Sequence, residues 1–190
     1  MEKLIEVRWH GRGGQGVVTA SKLLATSVLA EDKYIQAFPE YGPERMGAPI
    51  QSFTRISETP IKIHCHVTNP DIVVSLDPTL LGLVDVTEGL TEDGVLIINT
   101  EESPAQIREK LNLKGRNVYT VDASKIAQET IGRPLPNTPL IGALIKATGL
   151  LKLEKVLADI EDKFKKKFSS KIVEGNINAI KRAYQEVEGE

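Results

Sequence analysis

The segment Gly11-Arg12-Gly13-Gly14-Gln15-Gly16 is the part of this sequence best equipped for chemistry. It stands between an apolar-alternating run, Leu4 to Trp9, and a helical pattern, Val17 to Leu29. Glycine lacks a Cβ, so backbone there can take positive φ and come close to a ligand. A strand, a glycine turn and a helix start leave unpaired N–H groups at the positive end of a helix dipole. Such a junction attracts anions, phosphate above all. Gly11, Gly13 and Gly16 also fit G-x-G-x-x-G, the dinucleotide fingerprint, in the position where it has meaning. Arg12 adds a guanidinium, whose planar fork suits phosphate.

The nicotinamide form of that site fits poorly. It needs Asp or Glu near the end of the second strand, about 20 residues past the glycines, to hold a ribose hydroxyl. Here that strand ends in Gln36-Ala37-Phe38-Pro39, and the first acid, Glu40, lies beyond the proline. Neither a Ser-His-Asp nor a Cys-His nor a paired-carboxylate set can be assembled from the sequence, so no residue is given a catalytic role. His64-Cys65-His66 resembles a metal site, but in a strand the histidines face one way and Cys65 the other. Two ligands without a third make no zinc site, so no residue is given a metal. Cys65 is the one cysteine, which rules out an internal disulfide and an iron–sulfur cluster held by this chain alone.

The elements that must position the glycine turn read as strands alternating with helices. Strand one covers Leu4 to Trp9, and a helix follows to about Ala30. Tyr34 to Phe38 forms strand two, and Pro39 to Pro49 a loop broken by Gly42, Pro43 and Gly47. Ile50 to Ile56 and Ile61 to His66 alternate in polarity around Ser57-Glu58-Thr59-Pro60, the pattern of an antiparallel hairpin. Asp71 to Leu76 and Val95 to Asn99 are short apolar runs of the kind buried on both faces of a sheet. Pro78 to Leu90 between them predicts a crossover helix. Ser103-Pro104 opens another helix with serine as cap and proline at the first position. Asn117 to Val121 gives a further strand. From Ala123 the chain turns helical, breaks at Pro134 to Pro139, and ends in helices over Leu153 to Phe168 and Lys171 to Val187. Alternation of this kind implies one α/β domain over residues 1–190: a Rossmann-like, mixed and mostly parallel sheet with a hairpin insertion and C-terminal helices.

A chain of 190 residues can bury a substantial core. Its hydrophobic content of 41%, charged content of 26% and net charge of −2 place it among ordinary globular proteins. That charge offers no global attraction for nucleic acid or an anionic membrane. No apolar run reaches spanning length and the start lacks a signal-peptide pattern, so a cytoplasmic location is expected. Lys163-Phe164-Lys165-Lys166-Lys167-Phe168 is a dense basic run, expected to be a solvated helix face with two buried phenylalanines.

The glycine segment is followed by Tyr41-Gly42-Pro43-Glu44-Arg45-Met46-Gly47-Ala48-Pro49, with Ser52-Phe53-Thr54-Arg55-Ile56 behind it. Pro70-Asp71-Ile72-Val73-Val74 with Leu76-Asp77, and Asn137-Thr138-Pro139-Leu140-Ile141-Gly142-Ala143-Leu144, come in order downstream. Together these resemble the gamma subunit of the 2-oxoacid:ferredoxin oxidoreductases. The Gly-Pro-Glu-Arg and Gly-Ala-Pro forms resemble the pyruvate and branched-chain types more than the 2-oxoglutarate type, with pyruvate first.

The resemblance implies a complex rather than an enzyme acting alone. Such complexes decarboxylate a 2-oxoacid oxidatively with coenzyme A, giving acyl-CoA, carbon dioxide and reduced ferredoxin, or run in reverse as pyruvate synthases. It implies alpha, beta and delta partner subunits that carry thiamine diphosphate, magnesium and [4Fe-4S] clusters, with ferredoxin as acceptor and an isolated chain without activity. It leaves coenzyme A as the ligand for this chain. The cofactor-binding residues expected are Gly11, Arg12, Gly13, Gly14, Gln15, Gly16 and Arg45. The loop Tyr41 to Pro49 is expected to meet the catalytic subunits or the coenzyme A channel. Asn137 or Thr138 should cap the helix that follows, and Asp77 is either a site residue or the cap of the turn at Pro78.

Overall fold

The computed structural model describes residues 4–29, 33–40 and 47–190. One sheet runs through it in the order β2-β3-β1-β4-β5-β6-β7. Its strands are β1 (Ile5–Arg12), β2 (Tyr34–Pro39), β3 (Pro49–Ser57), β4 (Ile72–Ser75), β5 (Val95–Asn99), β6 (Asn117–Val121) and β7 (Glu188–Gly189). β1, β4, β5 and β6 are parallel neighbours through the centre. β3 is antiparallel to both β1 and β2, and β7 is antiparallel to β6.

The expected α/β architecture is present. The helices are α1 (Val17–Val28), α2 (Pro104–Lys110), α3 (Ala123–Ile131), α4 (Asn137–Thr148), α5 (Leu153–Lys165) and α6 (Ser170–Glu186). Strand alternation divides the core. Val7 and Trp9 of β1, with Ile72 and Val74 of β4, face a layer holding α1, α3, α4, α5 and α6. Val73, Leu96, Ile98 and Val118 face the other way, onto Leu80, Val86 and Ile107. α4 is the central helix, buried from Thr138 through Ile145, as an almost wholly apolar helix must be.

Several expectations are corrected. Ile61 to His66 is not a strand, and the antiparallel partners of β3 are β1 and β2. The reason is Arg55, buried in β3, whose guanidinium donates to the carbonyls of Ile63 and His66 and so takes up acceptors a ladder would need. His64, Cys65 and His66 are all exposed. The crossover after β4 is a 3-10 turn, Pro78–Gly82, followed by further turns rather than a helix. Gly82 and Gly89 favour turns, and Asp85 accepts from the Thr87 amide and hydroxyl, an alternative to helical pairing. Phe168 stands 47% exposed, so only Phe164 of that pair packs against the core. Neither Asn137 nor Thr138 caps α4: Pro136 is the cap residue and makes no side-chain bond. At α2 the expected cap is present, Ser103 and Gln106 forming a reciprocal capping box with Pro104 inside it.

Candidate functional site

β1 extends past Trp9 to Arg12 because β3 pairs with it up to Pro49. The turn is therefore Gly13 to Gly16, and α1 starts at Val17 with Gly16 as its cap residue. Gly16 has φ +81, a left-handed conformation that L side chains rarely adopt, and it offers no side chain to cap the helix. The amides at the start of α1 therefore stay without an internal acceptor. Asn137, at the start of α4, closes one side: its Nδ2 would lie 2.6 Å from a Cβ on Gly16.

The expected residues take different parts. Gly11 is buried, and a Cβ there would meet Val17 Cγ2 at 2.5 Å, so this glycine serves strand–helix packing. The Gly13 amide donates to Ala48 O (3.0 Å) and the Gln15 amide to Arg12 O (3.1 Å). Among the described residues, the amides of Gly14 and Gly16 have no such acceptor. Gly14 is exposed, and nothing lies within 4 Å of where its Cβ would be. Gln15 bridges inside the loop: its Oε1 accepts from the Arg12 amide (2.7 Å) and its Nε2 donates to Asp77 Oδ2 (2.7 Å). Arg12 donates to Asp77 Oδ2 (3.1 Å), Thr79 Oγ1 (2.9 Å) and Gly47 O (3.0 Å). Arg45 lies outside the described residues, as does the loop from Tyr41 to Met46.

Burial pushes the Asp77 carboxyl up. The Thr79 hydroxyl and amide, Gln15 and Arg12 outweigh it and hold the group below the usual aspartate range. Asp77 also caps the Pro78 turn through the Thr79 amide (2.9 Å), the capping part expected of it.

Beside Asn137 a cavity of about 740 Å³ opens between α1, the start of α4, α5 and α6. Its floor is apolar, with Leu23, Ile131 and Phe164, and its rim carries Lys22, Arg133 and Lys167. Lys163 and Lys166 of the basic run are paired to Asp159 and Asp162. Lys22 and the cavity were not evident from sequence. The only signals were a lysine one turn and a half into α1 and the basic run on α5. A second depression of about 600 Å³ beyond β5 and β6 is lined by Glu101, Glu102, Asp122 and Glu186, and its Arg182 is paired to Glu129 and Glu186. Acidic walls and a neutralised arginine do not suit an anion.

On the sheet face away from α1, Arg8 and His10 are buried, and Arg8 Nε donates to His10 Nε2 (2.9 Å). Arg8 Nη2 also donates to the carbonyls of Val86 and Glu88. Burial first, and the Arg8 charge second, lower the His10 pKa to about 3, so this imidazole is neutral. It accepts one bond and supports β1 just before the turn.

Antiparallel β3 beside β1 removes the position from which a parallel second strand would present a ribose-binding acid. What remains is a glycine turn with two amides that lack an acceptor among the described residues, and a basic-rimmed cavity lined in part by Asn137. Residues 6–186 match the family model described as pyruvate ferredoxin/flavodoxin oxidoreductase, and the chain belongs to this family. The pyruvate/ketoisovalerate oxidoreductases common subunit gamma of Pyrococcus abyssi is 50% identical over 97% of this chain and 98% of its own. Pyruvate synthase subunit PorC of Thermotoga maritima is 46% identical over 98% and 96%. The crystal structure of the pyruvate oxidoreductase subunit from Thermotoga maritima superposes with a TM-score of 0.86, covering 98% of both chains at 43% identity. Among the described residues, no helix is long and apolar enough to cross a membrane.

Proposed function

We propose that this chain is the gamma subunit of a pyruvate:ferredoxin oxidoreductase and that its own task in the complex is to hold coenzyme A. Full-length likeness to gamma-type subunits supports the first part. The amides of Gly14 and Gly16, without an acceptor among the described residues, and the cavity with a basic rim carry the second. Coenzyme A is a nucleotide with several phosphates on a long thiol arm. An amide nest at a helix N-terminus takes one phosphate without a counter-ion. Arg12 supplies charge at the turn, Lys22, Arg133 and Lys167 supply it at the cavity rim, and the apolar floor suits the nucleobase. Anchoring that end leaves the thiol free to accept the acyl group on the partner chains. Thiamine diphosphate with magnesium, the iron–sulfur clusters and the delivery of electrons to ferredoxin belong to the alpha, beta and delta subunits. The complex works in the cytoplasm, where coenzyme A and ferredoxin are at hand.

Pyruvate is the substrate assigned to the complex. Relatives named as a common subunit for pyruvate and ketoisovalerate fit a chain that handles the shared coenzyme rather than the 2-oxoacid. The test is a coenzyme A titration of the assembled complex with Gly14→Ala. The methyl enters the open space beside the nest at φ +98. Alanine keeps the N–H but rarely adopts that φ, so the turn must shift and misaim the amide. Losing its bond to a charged group is worth about 1.5–3 kcal/mol, a fall in affinity of roughly 10–100-fold. Unchanged affinity in both Gly14→Ala and Lys22→Ala would remove coenzyme A from this site.

A further inference from the structure

We propose that Asp77 is a positioning residue for coenzyme A: it clamps Arg12 so that the free end of the guanidinium points at the ligand's phosphate. The proposal deepens the coenzyme A reading above and rests on it. Arginine has five N–H donors in a fixed planar fork. Arg12 spends Nε on Asp77 and on Thr79 Oγ1 (3.3 Å). One hydrogen of Nη2 goes to Thr79 Oγ1 and one of Nη1 to Gly47 O. A second N–H on each Nη is left without a partner among the described residues, on a side chain 26% exposed. Two unused donors on one planar guanidinium can serve two oxygens of a phosphate.

Asp77 is the group on which this orientation depends. Its side chain is 9% exposed, too buried to swing to another partner. Oδ2 receives both Arg12 Nε and Gln15 Nε2, while Oδ1 receives the Thr79 amide and hydroxyl (2.6 Å). The Thr79 hydroxyl, having donated to Asp77, can only accept from Arg12, so its direction is set by the same carboxylate. Gln15 in turn fixes the Arg12 amide at the end of β1. One buried carboxylate thus holds the arginine from two sides and the glycine turn from a third. Without it the guanidinium would recover its rotamer freedom and lose alignment on binding.

The experiment uses the assembled complex carrying Asp77→Asn, Asp77→Ala, Thr79→Val, Arg12→Ala and the double variant Arg12→Ala/Asp77→Ala. Coenzyme A affinity, kcat with pyruvate at saturating coenzyme A, and Tm are measured for each. Asp77→Ala is expected to weaken coenzyme A roughly tenfold or more, as Arg12→Ala does, with kcat at saturation within about twofold. In the double variant the losses should not add, because the aspartate acts through the arginine. Asp77→Asn keeps an acceptor for Thr79 and should fall between wild type and Asp77→Ala. Should Asp77→Ala prove unstable, Asp77→Asn and Thr79→Val carry the same comparison. Weakened binding in Arg12→Ala with none in any Asp77 or Thr79 variant, or losses that add fully, overturns the clamp and leaves the coenzyme A reading standing. No effect of Arg12→Ala overturns the clamp, and no effect of Gly14→Ala and Lys22→Ala besides takes the coenzyme A site with it.

Discussion

Acidification from about pH 7.5 to about pH 5 should weaken the folded chain through His10. Its imidazole is 2% exposed, accepts from Arg8 Nε, and has its pKa lowered to about 3 by burial and by the Arg8 charge. In the unfolded chain the same group takes its ordinary value of about 6.5. The folded state therefore refuses a proton that the unfolded state accepts. His10 favours the native state fully above about pH 6.5, and that contribution drains away as the pH falls toward the folded value. Linkage over the stated interval gives a loss of about 2 kcal/mol from this one side chain. Asp77 and Asp85 are held below the usual carboxylate range, so their own losses fall at lower pH, outside the interval. His64 and His66 are exposed. Urea unfolding of the full chain at several pH values reads the difference as a shift in midpoint at constant slope. His10→Gln keeps an acceptor for Arg8 and cannot titrate, so it should flatten the dependence. A wild-type profile already flat, or a slope that survives in His10→Gln, would refute the reasoning.

Two further outcomes follow from the packing and the charge around the site. Gly142 lets α4 and α6 touch: a Cβ there would lie 2.1 Å from Ile180 O, a backbone atom that cannot swing aside. Gly142→Ala should cost about 1–3 kcal/mol and lower Tm by roughly 5 °C, and a melting curve within about 1 °C of wild type would contradict the contact. Lys22→Glu at the cavity rim should weaken coenzyme A roughly tenfold at low ionic strength, with the difference shrinking as salt rises. Calorimetry at two salt concentrations measures this, and a salt-independent loss would point to packing instead.

How much could be read without coordinates differs by element. The apolar runs of β4 and β5 kept their places because burial on both faces leaves little alternative for such runs. α2 began where serine and proline put it, since a cap and a first-turn proline act on neighbours along the chain. Ile61 to His66 misled because strand alternation is a necessary pattern, while a strand also needs a free edge. Arg55 had already claimed two of its carbonyls. The crossover misled in the same way, its apolar residues being spent on turns that pack Leu80 and Val86 under the sheet.

The glycine turn, its place between β1 and α1, and the family were written in the chain, because glycine spacing and motif order are properties of neighbours along the backbone. The site was not. Which amides stay free depended on Ala48 meeting Gly13, contacts the sequence separates by 35 residues in the case of Arg12 and Gly47. Arg12 reads as a free cation in the sequence and as a tethered one in the fold, since Asp77 stands 65 positions away and reaches it only when β4 lies parallel to β1. The cavity beside Asn137 exists because α4 and α1 bring their amino ends together. Side-chain type and local spacing set what each residue can do; strand order and helix packing chose the partner with which it does it.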